Sequence, residues 1–181
     1  FDIAISRTIE VYLLGMLGQA DEAVELASWI EALFAEHDFK QGQAYLAHNL
    51  AQVYLRTWQL DAAQHQLEIA LSLLSELDIT TVKAMTLHDL GLVASQKDQL
   101  EAASDFFTQA YPTFAETRDC FLLAKTQYNL AQLCLRQDQF ESALDHLKQG
   151  RADLQTSEEA ASSADVAYFD LFEAKVRRIL R

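Results

Sequence analysis

Ala47, Leu50, Ala51 and Tyr54 recur at i, i+3, i+4 and i+7, the spacing of one apolar stripe on a helix. They predict a helix over about residues 41–56. After a polar break at Thr57-Trp58-Gln59, a second stripe follows in Leu60, Ala63, Leu67, Ala70, Leu71 and Leu74. Two stripes of this kind separated by a short break predict a pair of antiparallel helices facing each other. The pattern then repeats. Asn49-Leu50-Ala51, Asp89-Leu90-Gly91 and Asn129-Leu130-Ala131 are spaced by 40 residues without a gap, and the same step relates Ala23, Ala63, Ala103 and Ala143. The third unit carries Leu100, Ala103, Phe107, Ala110, Tyr111 and Phe114 on its second helix, and the fourth Phe140, Ala143, Leu147, Gly150 and Leu154. A fixed period of this length predicts a solenoid of stacked helix pairs. Small residues at 51, 91 and 131, and at 23, 63, 103 and 143, let the two helix axes of each pair cross closely.

Composition narrows the class. Half of the 181 residues are hydrophobic, with one proline and five glycines, too few turn-formers for a sandwich or barrel, so the fold expected is all-α. The net charge of −13 would repel a phosphate backbone and argues against nucleic-acid binding by this segment. Residues 1–80 hold Arg7, Lys40 and Arg56 as fixed cations against twelve carboxylates. Cys120 and Cys134 form no CxxC and have no histidine at ligand spacing, so neither a disulfide framework nor a metal site is expected; Cys134, in the phase of Tyr54, reads as core. There is no run long enough for a membrane span and no signal peptide. With no Met at position 1, the chain reads as part of a larger cytoplasmic protein with no membrane partner.

The set Asn49-Leu50-Ala51…Tyr54…Ala63…Leu67…Ala70, with its counterparts Leu90-Gly91…Ala94…Ala103…Phe107…Ala110 and Asn129-Leu130-Ala131…Cys134…Ala143…Leu147…Gly150, resembles the tetratricopeptide repeat (TPR) family. The resemblance implies an all-α right-handed superhelix, a TPR-like solenoid of about four helix pairs plus a terminal helix. The chain reads as one such domain, with units of about 1–38, 39–78, 79–118 and 119–157 and a last helix over 160–181. Three departures stand out. The family's usual repeat has 34 residues, and the additional six here, between Leu74 and Ala84 and at equivalent places, are expected to lengthen the helices, as in the long repeats of kinesin light chains and some bacterial regulators. Glu10 and Val11 replace the Leu-Gly pair in the first unit, and Asp170 stands where leucine is expected in the last. Pro112 is expected to kink or end its helix, and 156–163, rich in serine and acid, is the best loop candidate.

No P-loop, GxGxxG, HExxH, GxSxG or EF-hand loop occurs, so neither catalysis nor a cofactor is expected. His48 and His88 occupy equivalent places on adjacent first helices and could lie side by side, more readily as hydrogen-bonded groove residues than as a metal site. In a TPR-like solenoid, function would lie on the concave wall of first helices. The stripe beside the core there reads Tyr12; Tyr45, His48, Asn49, Gln52 and Arg56; Met85, His88 and Leu92; Lys125, Tyr128, Asn129, Gln132 and Arg136. Its mix of aromatic, amide and charged groups suits an extended or helical protein segment, and the resemblance implies that Asn49 and Asn129 bond a bound peptide's backbone. The family's clamp for a terminal carboxylate is not expected, because Asp89 stands where it would repel that group. The function expected is therefore a protein- or peptide-binding scaffold module within a larger regulatory or signalling protein. The alternatives are a structural spacer, a homodimer through the solenoid ends (Phe1, Ile3 and Ile9, or Phe169, Phe172 and Ile179), and a small-molecule sensor, which would need a pocket around His48 and His88.

Overall fold

The computed structural model describes residues 2–155 and 163–179, and among these the secondary structure is nine α-helices with no strand. In order they are α1 (Asp2–Met16), α2 (Ala20–Glu36), α3 (Lys40–Arg56), α4 (Leu60–Glu76), α5 (Thr80–Gln96), α6 (Leu100–Thr117), α7 (Cys120–Arg136), α8 (Phe140–Gln155) and α9 (Ser163–Ile179). Each of α2, α3, α4, α5 and α7 has 17 residues. Two such helices and two three-residue links account for the 40-residue period, so the extra length lies in the helices themselves.

The links share one backbone solution. Gly18, Asp38, Trp58, Asp78, Asp98, Arg118 and Asp138, spaced by 20 residues, all have φ between 48° and 79°, the left-handed conformation that closes a helix. The residue after each donates its N–H to a carbonyl five positions back, as in Gln59 to Tyr54 at 2.9 Å, Gln99 to Ala94 at 2.9 Å and Gln139 to Cys134 at 2.8 Å. Repetition of one turn keeps successive helices at one relative orientation, which is what allows them to stack.

Stacking buries the stripes read from the sequence. Ala63, Leu67, Ala70 and Leu74 of α4 are fully buried, as are Ala103, Phe107, Ala110 and Phe114 of α6. Each Phe or Leu side chain taken from water contributes roughly 1.5–3 kcal/mol. Gly91 makes room for one of them: a Cβ there would meet the Phe107 ring at 2.6 Å. In the first unit, where Glu10 and Val11 replace Leu-Gly, Val11 is fully buried and α1 packs against both α2 and α3. Its close approach has moved to Gly15, where a Cβ would meet Val53 at 2.7 Å.

Two expectations are revised, and a third lies almost wholly outside the described residues. Pro112 does not end its helix: α6 runs through it from Leu100 to Thr117, held by the fully buried Ala110 and Phe114 on either side. The predicted loop lies outside the described residues except for Ser163, which opens α9. Phe169 is not part of a free terminal face. It is buried over Gly150, where a Cβ would meet its ring at 2.6 Å, and Tyr128 stands edge-on to it at 5.9 Å. Phe172 is half-buried and packs on Tyr128 at 5.0 Å. Asp170, in the phase of the buried Leu50, Leu90 and Leu130, is exposed and pairs with Arg151 of α8 at 2.9 Å. Ile9 is 61% exposed, while the side chains of Phe1, Ile3 and Ile179 lie outside the described ones. Among the described residues no helix is long and apolar enough to cross a membrane.

Candidate functional site

Residues three and four apart on a helix share a face, and a 40-residue period sets those faces side by side on neighbouring repeats. The first helices α1, α3, α5 and α7 thus form a wall with an open cavity of about 590 Å³. Its lining comprises Ile5, Thr8, Ile9 and Tyr12 of α1, Tyr45, His48, Asn49 and Gln52 of α3, Val82, Met85, His88 and Asp89 of α5, and Leu122 and Lys125 of α7. Apolar groups form much of the wall, and Ile5, Ile9 and Met85 are exposed.

The floor is polar and sunk between helices. His48, His88 and Asp89 are all buried, Asp89 to 6% of its surface and His88 to 1%. Asn49 donates to the Thr8 carbonyl oxygen at 3.0 Å, and Asn129 approaches His88 Nε2 at 3.1 Å. Both asparagines thus clip adjacent first helices together. Gln52 Nε2 donates to Asp89 Oδ2. Thr86 Oγ1 donates to the Val82 carbonyl at 2.8 Å, and its lone pairs face His48 Nδ1 at 3.1 Å. A hydroxyl has one hydrogen to give, so the His48 proton sits on Nδ1 and Nε2 is an acceptor. Burial pushes the His48 imidazole below its usual range, with the Asp89 carboxylate partly offsetting this.

A second cavity, about 800 Å³, lies between α7 and α9. Tyr128, Gln132, Leu135, Arg136, Leu171, Phe172, Ala174, Lys175 and Arg178 line it. Its cations are partly engaged: Arg136 donates to the Ser95 carbonyl at 2.7 Å and to Asp98 at 2.6 Å. A smaller hollow of about 320 Å³ brings Asn129 together with Phe121, Lys125 and Tyr128.

The structure thus places Tyr12, Tyr45, His48, Asn49, Gln52, Met85, His88 and Lys125 in one cavity, and Tyr128, Gln132 and Arg136 in another. Arg56 and Leu92 line none of the three: Arg56 is exposed, and Leu92 packs on the cluster around Phe107 and Leu130. The residue that sequence reasoning undervalued is Asp89, whose phase, 40 residues from Asn49 and from Asn129, was its available signal. Among the described residues no group of three or more His, Cys, Asp or Glu is arranged to hold a metal ion.

Residues 84–156 match the tetratricopeptide repeat family model. No curated protein matches the chain. Solved structures do. A kinesin light chain of nearly identical TPR-like repeats from Podospora anserina shares 19% identity at a TM-score of 0.72, over 97% of this chain and 90% of that one. BtubC (BKLC) of P. vanneervenii shares 17% at a TM-score of 0.68, over 98% and 83%. RapI in its apo form shares 18% at a TM-score of 0.82, and there 96% of this chain spans 48% of the other. At these identities the likeness is one of fold.

Proposed function

Because the chain is built of tetratricopeptide repeats, we propose that it is a protein-interaction scaffold whose α1–α3–α5–α7 wall binds an extended segment of a partner protein. The observation that carries this is the 590 Å³ cavity running across four first helices, with exposed apolar side chains above a polar floor. Apolar anchors beside fixed hydrogen-bonding groups are how such grooves hold peptides. The cavity is open and extends across repeats, which suits a chain segment better than a small molecule, although it does contain His48 and His88. The reading gives no residue a catalytic role.

Tyr45 and Met85 line the cavity and belong to neither of the two polar clips made by Asn49 and Asn129. Both changed to alanine should abolish capture of the chain's partner while moving the thermal midpoint little. Capture unchanged in that variant, with the fold intact by circular dichroism, would place the site elsewhere.

A second reading, pairing of two copies through α1, has its own support. Leu13 is exposed, although its equivalents Val53, Val93 and Leu133 are buried. With Ile9, Met16 and Leu17 it forms an exposed apolar stripe. Sedimentation equilibrium over a hundredfold concentration range decides this: a constant monomer mass removes the pairing.

A further inference from the structure

Asp89 is a buried carboxylate whose charge has no lysine or arginine partner among the described residues; its ion-pair neighbours are His48 and His88 alone. A buried carboxylate is costly unless its lone pairs are filled. Within the chain Oδ2 is filled and Oδ1 is left to the open cavity, since no fully buried side-chain nitrogen or oxygen among the described residues lacks a partner. Oδ2 accepts from Gln52, while His88 Nδ1 lies 3.6 Å from Oδ1, too far for a hydrogen bond. On the other side of the carboxylate, His48 Nε2 lies 3.9 Å from Oδ2. That nitrogen is an acceptor, because the ring proton is committed to Thr86 through Nδ1. Two acceptors therefore face each other across a gap with no donor between them, on the floor of a cavity that opens to solvent.

We propose that this gap is the seat of a cationic side chain, an arginine or lysine of the bound partner segment, whose N–H groups donate to Asp89 and to His48 Nε2. The inference rests on the groove reading above and names the chemistry of its ligand. Charge supports it twice: Asp89 is the one carboxylate among the cavity-lining residues, and the chain as a whole carries −13. Lys125, the fixed cation of the same lining, is exposed at the rim rather than on the floor. A hydrogen bond to an ionised partner in a desolvated site is stronger than a neutral one, so the anchor would select for base among otherwise apolar segments.

The test is a selection from a library of N-acetylated, C-amidated hexapeptides on the immobilised full chain, so that positive charge can come only from side chains. Selected peptides should be enriched in arginine or lysine at one position. Replacing that arginine by citrulline, or Asp89 by asparagine, should each weaken binding roughly tenfold or more, and the two together should weaken it no further than either alone. The citrulline arm leaves the protein untouched, so it remains decisive if Asp89→Asn perturbs the floor. Peptides that need Tyr45 and Met85 but show no basic enrichment, or that bind equally with citrulline, overturn the cationic anchor and leave the groove standing. Failure to retain any peptide, or retention indifferent to Tyr45→Ala with Met85→Ala, overturns the groove and the anchor together.

Discussion

The two halves of the first-helix wall use the same scaffold positions for opposite purposes. Positions 48 and 88 hold histidines, but 128 holds tyrosine; 49, 89, 129 and 169 run Asn, Asp, Asn, Phe. In the N-terminal half these groups sink into the floor as a hydrogen-bonded polar set. In the C-terminal half Tyr128 stands edge-on to Phe169 at 5.9 Å and tilted against Phe172 at 5.0 Å, and the cavity beside them is rimmed by Lys175 and Arg178. A periodic backbone fixes where a side chain points, and the residue at that point then decides between a polar floor and aromatic packing. Equivalent positions are therefore natural controls for one another.

The largest effects should come from removing the aromatic that supports each half. Phe107 is fully buried and lies 5.2 Å from the His88 ring. Phe107→Ala should cost about 3–5 kcal/mol and lower the unfolding midpoint of the whole stack. Phe169→Ala deletes a ring of the same size at the last helix, which α8 and α7 support among the described residues, so α9 should lose protection while α1–α6 keep theirs. Segment-resolved hydrogen exchange separates the two outcomes. Uniform loss of protection in both variants would mean that the halves fold as one unit.

A smaller contrast separates Gln52 from Gln132, which are equivalent in the repeat. Gln52 fills a lone pair of the buried Asp89, whereas Gln132 is exposed. Gln52→Leu should destabilise by about 1–3 kcal/mol, the cost of leaving a buried polar group unsatisfied, and Gln132→Leu should stay within about 0.5 kcal/mol of the parent. Urea unfolding of the two variants measures both. Equal effects would mean that Asp89 draws its hydrogen bonds from water rather than from the amide.

The pattern of the chain made the architecture readable, because the core positions repeat without a gap and small residues mark where helices cross. It did not disclose the floor. Spacing puts Asp89 in the phase of Asn49 and Asn129, but its partners arrive from the preceding repeat: Gln52 lies 37 positions away, and His48 reaches it across the same interface. Arg136 illustrates the converse. Its phase assigned it to the groove and it lines the second cavity, but spacing gave no sign that its guanidinium also holds Ser95 and Asp98 of the preceding repeat. The acids at 38, 78, 98 and 138 serve as left-handed links, where the short Asp side chain is among the better tolerated. Pro112 does not end α6, whose buried Ala110 and Phe114 flank it.

A slope in pH distinguishes the halves next. Burial holds both His48, in the N-terminal half, and His146, in the C-terminal half, below the ordinary imidazole range, with Asp89 and Asp145 partly offsetting it. Unfolding returns each to about 6.5, so between that value and the depressed folded value the unfolded chain binds more protons. Stability therefore rises with pH across this window, is fully present above it, and is lost as pH falls from about 6.5 through the depressed folded value. Urea midpoints at pH 7.5, 6.5 and 5.5 should fall in that order. His48→Gln and His146→Gln should each flatten the slope, and a slope unchanged in both would mean that other groups carry it.

The smallest contrast lies in the links. Trp58, between α3 and α4, and Asp138, between α7 and α8, share a left-handed backbone with φ of 59° and 58°. For a bulky L-residue that conformation costs roughly 1–2 kcal/mol, and Asn relieves part of it because its side chain can hydrogen-bond locally. The Trp58 indole is 69% exposed, so little burial is lost with it. Trp58→Asn should thus raise stability by about 0.5–1 kcal/mol, whereas Asp138→Asn, which changes charge but not backbone preference, should leave it nearly unchanged. Thermal unfolding of the two variants checks this. A Trp58→Asn protein less stable than the parent would show that the indole makes a contribution larger than the strain it imposes, and would mark the α3–α4 link as a place where side-chain packing overrides backbone preference.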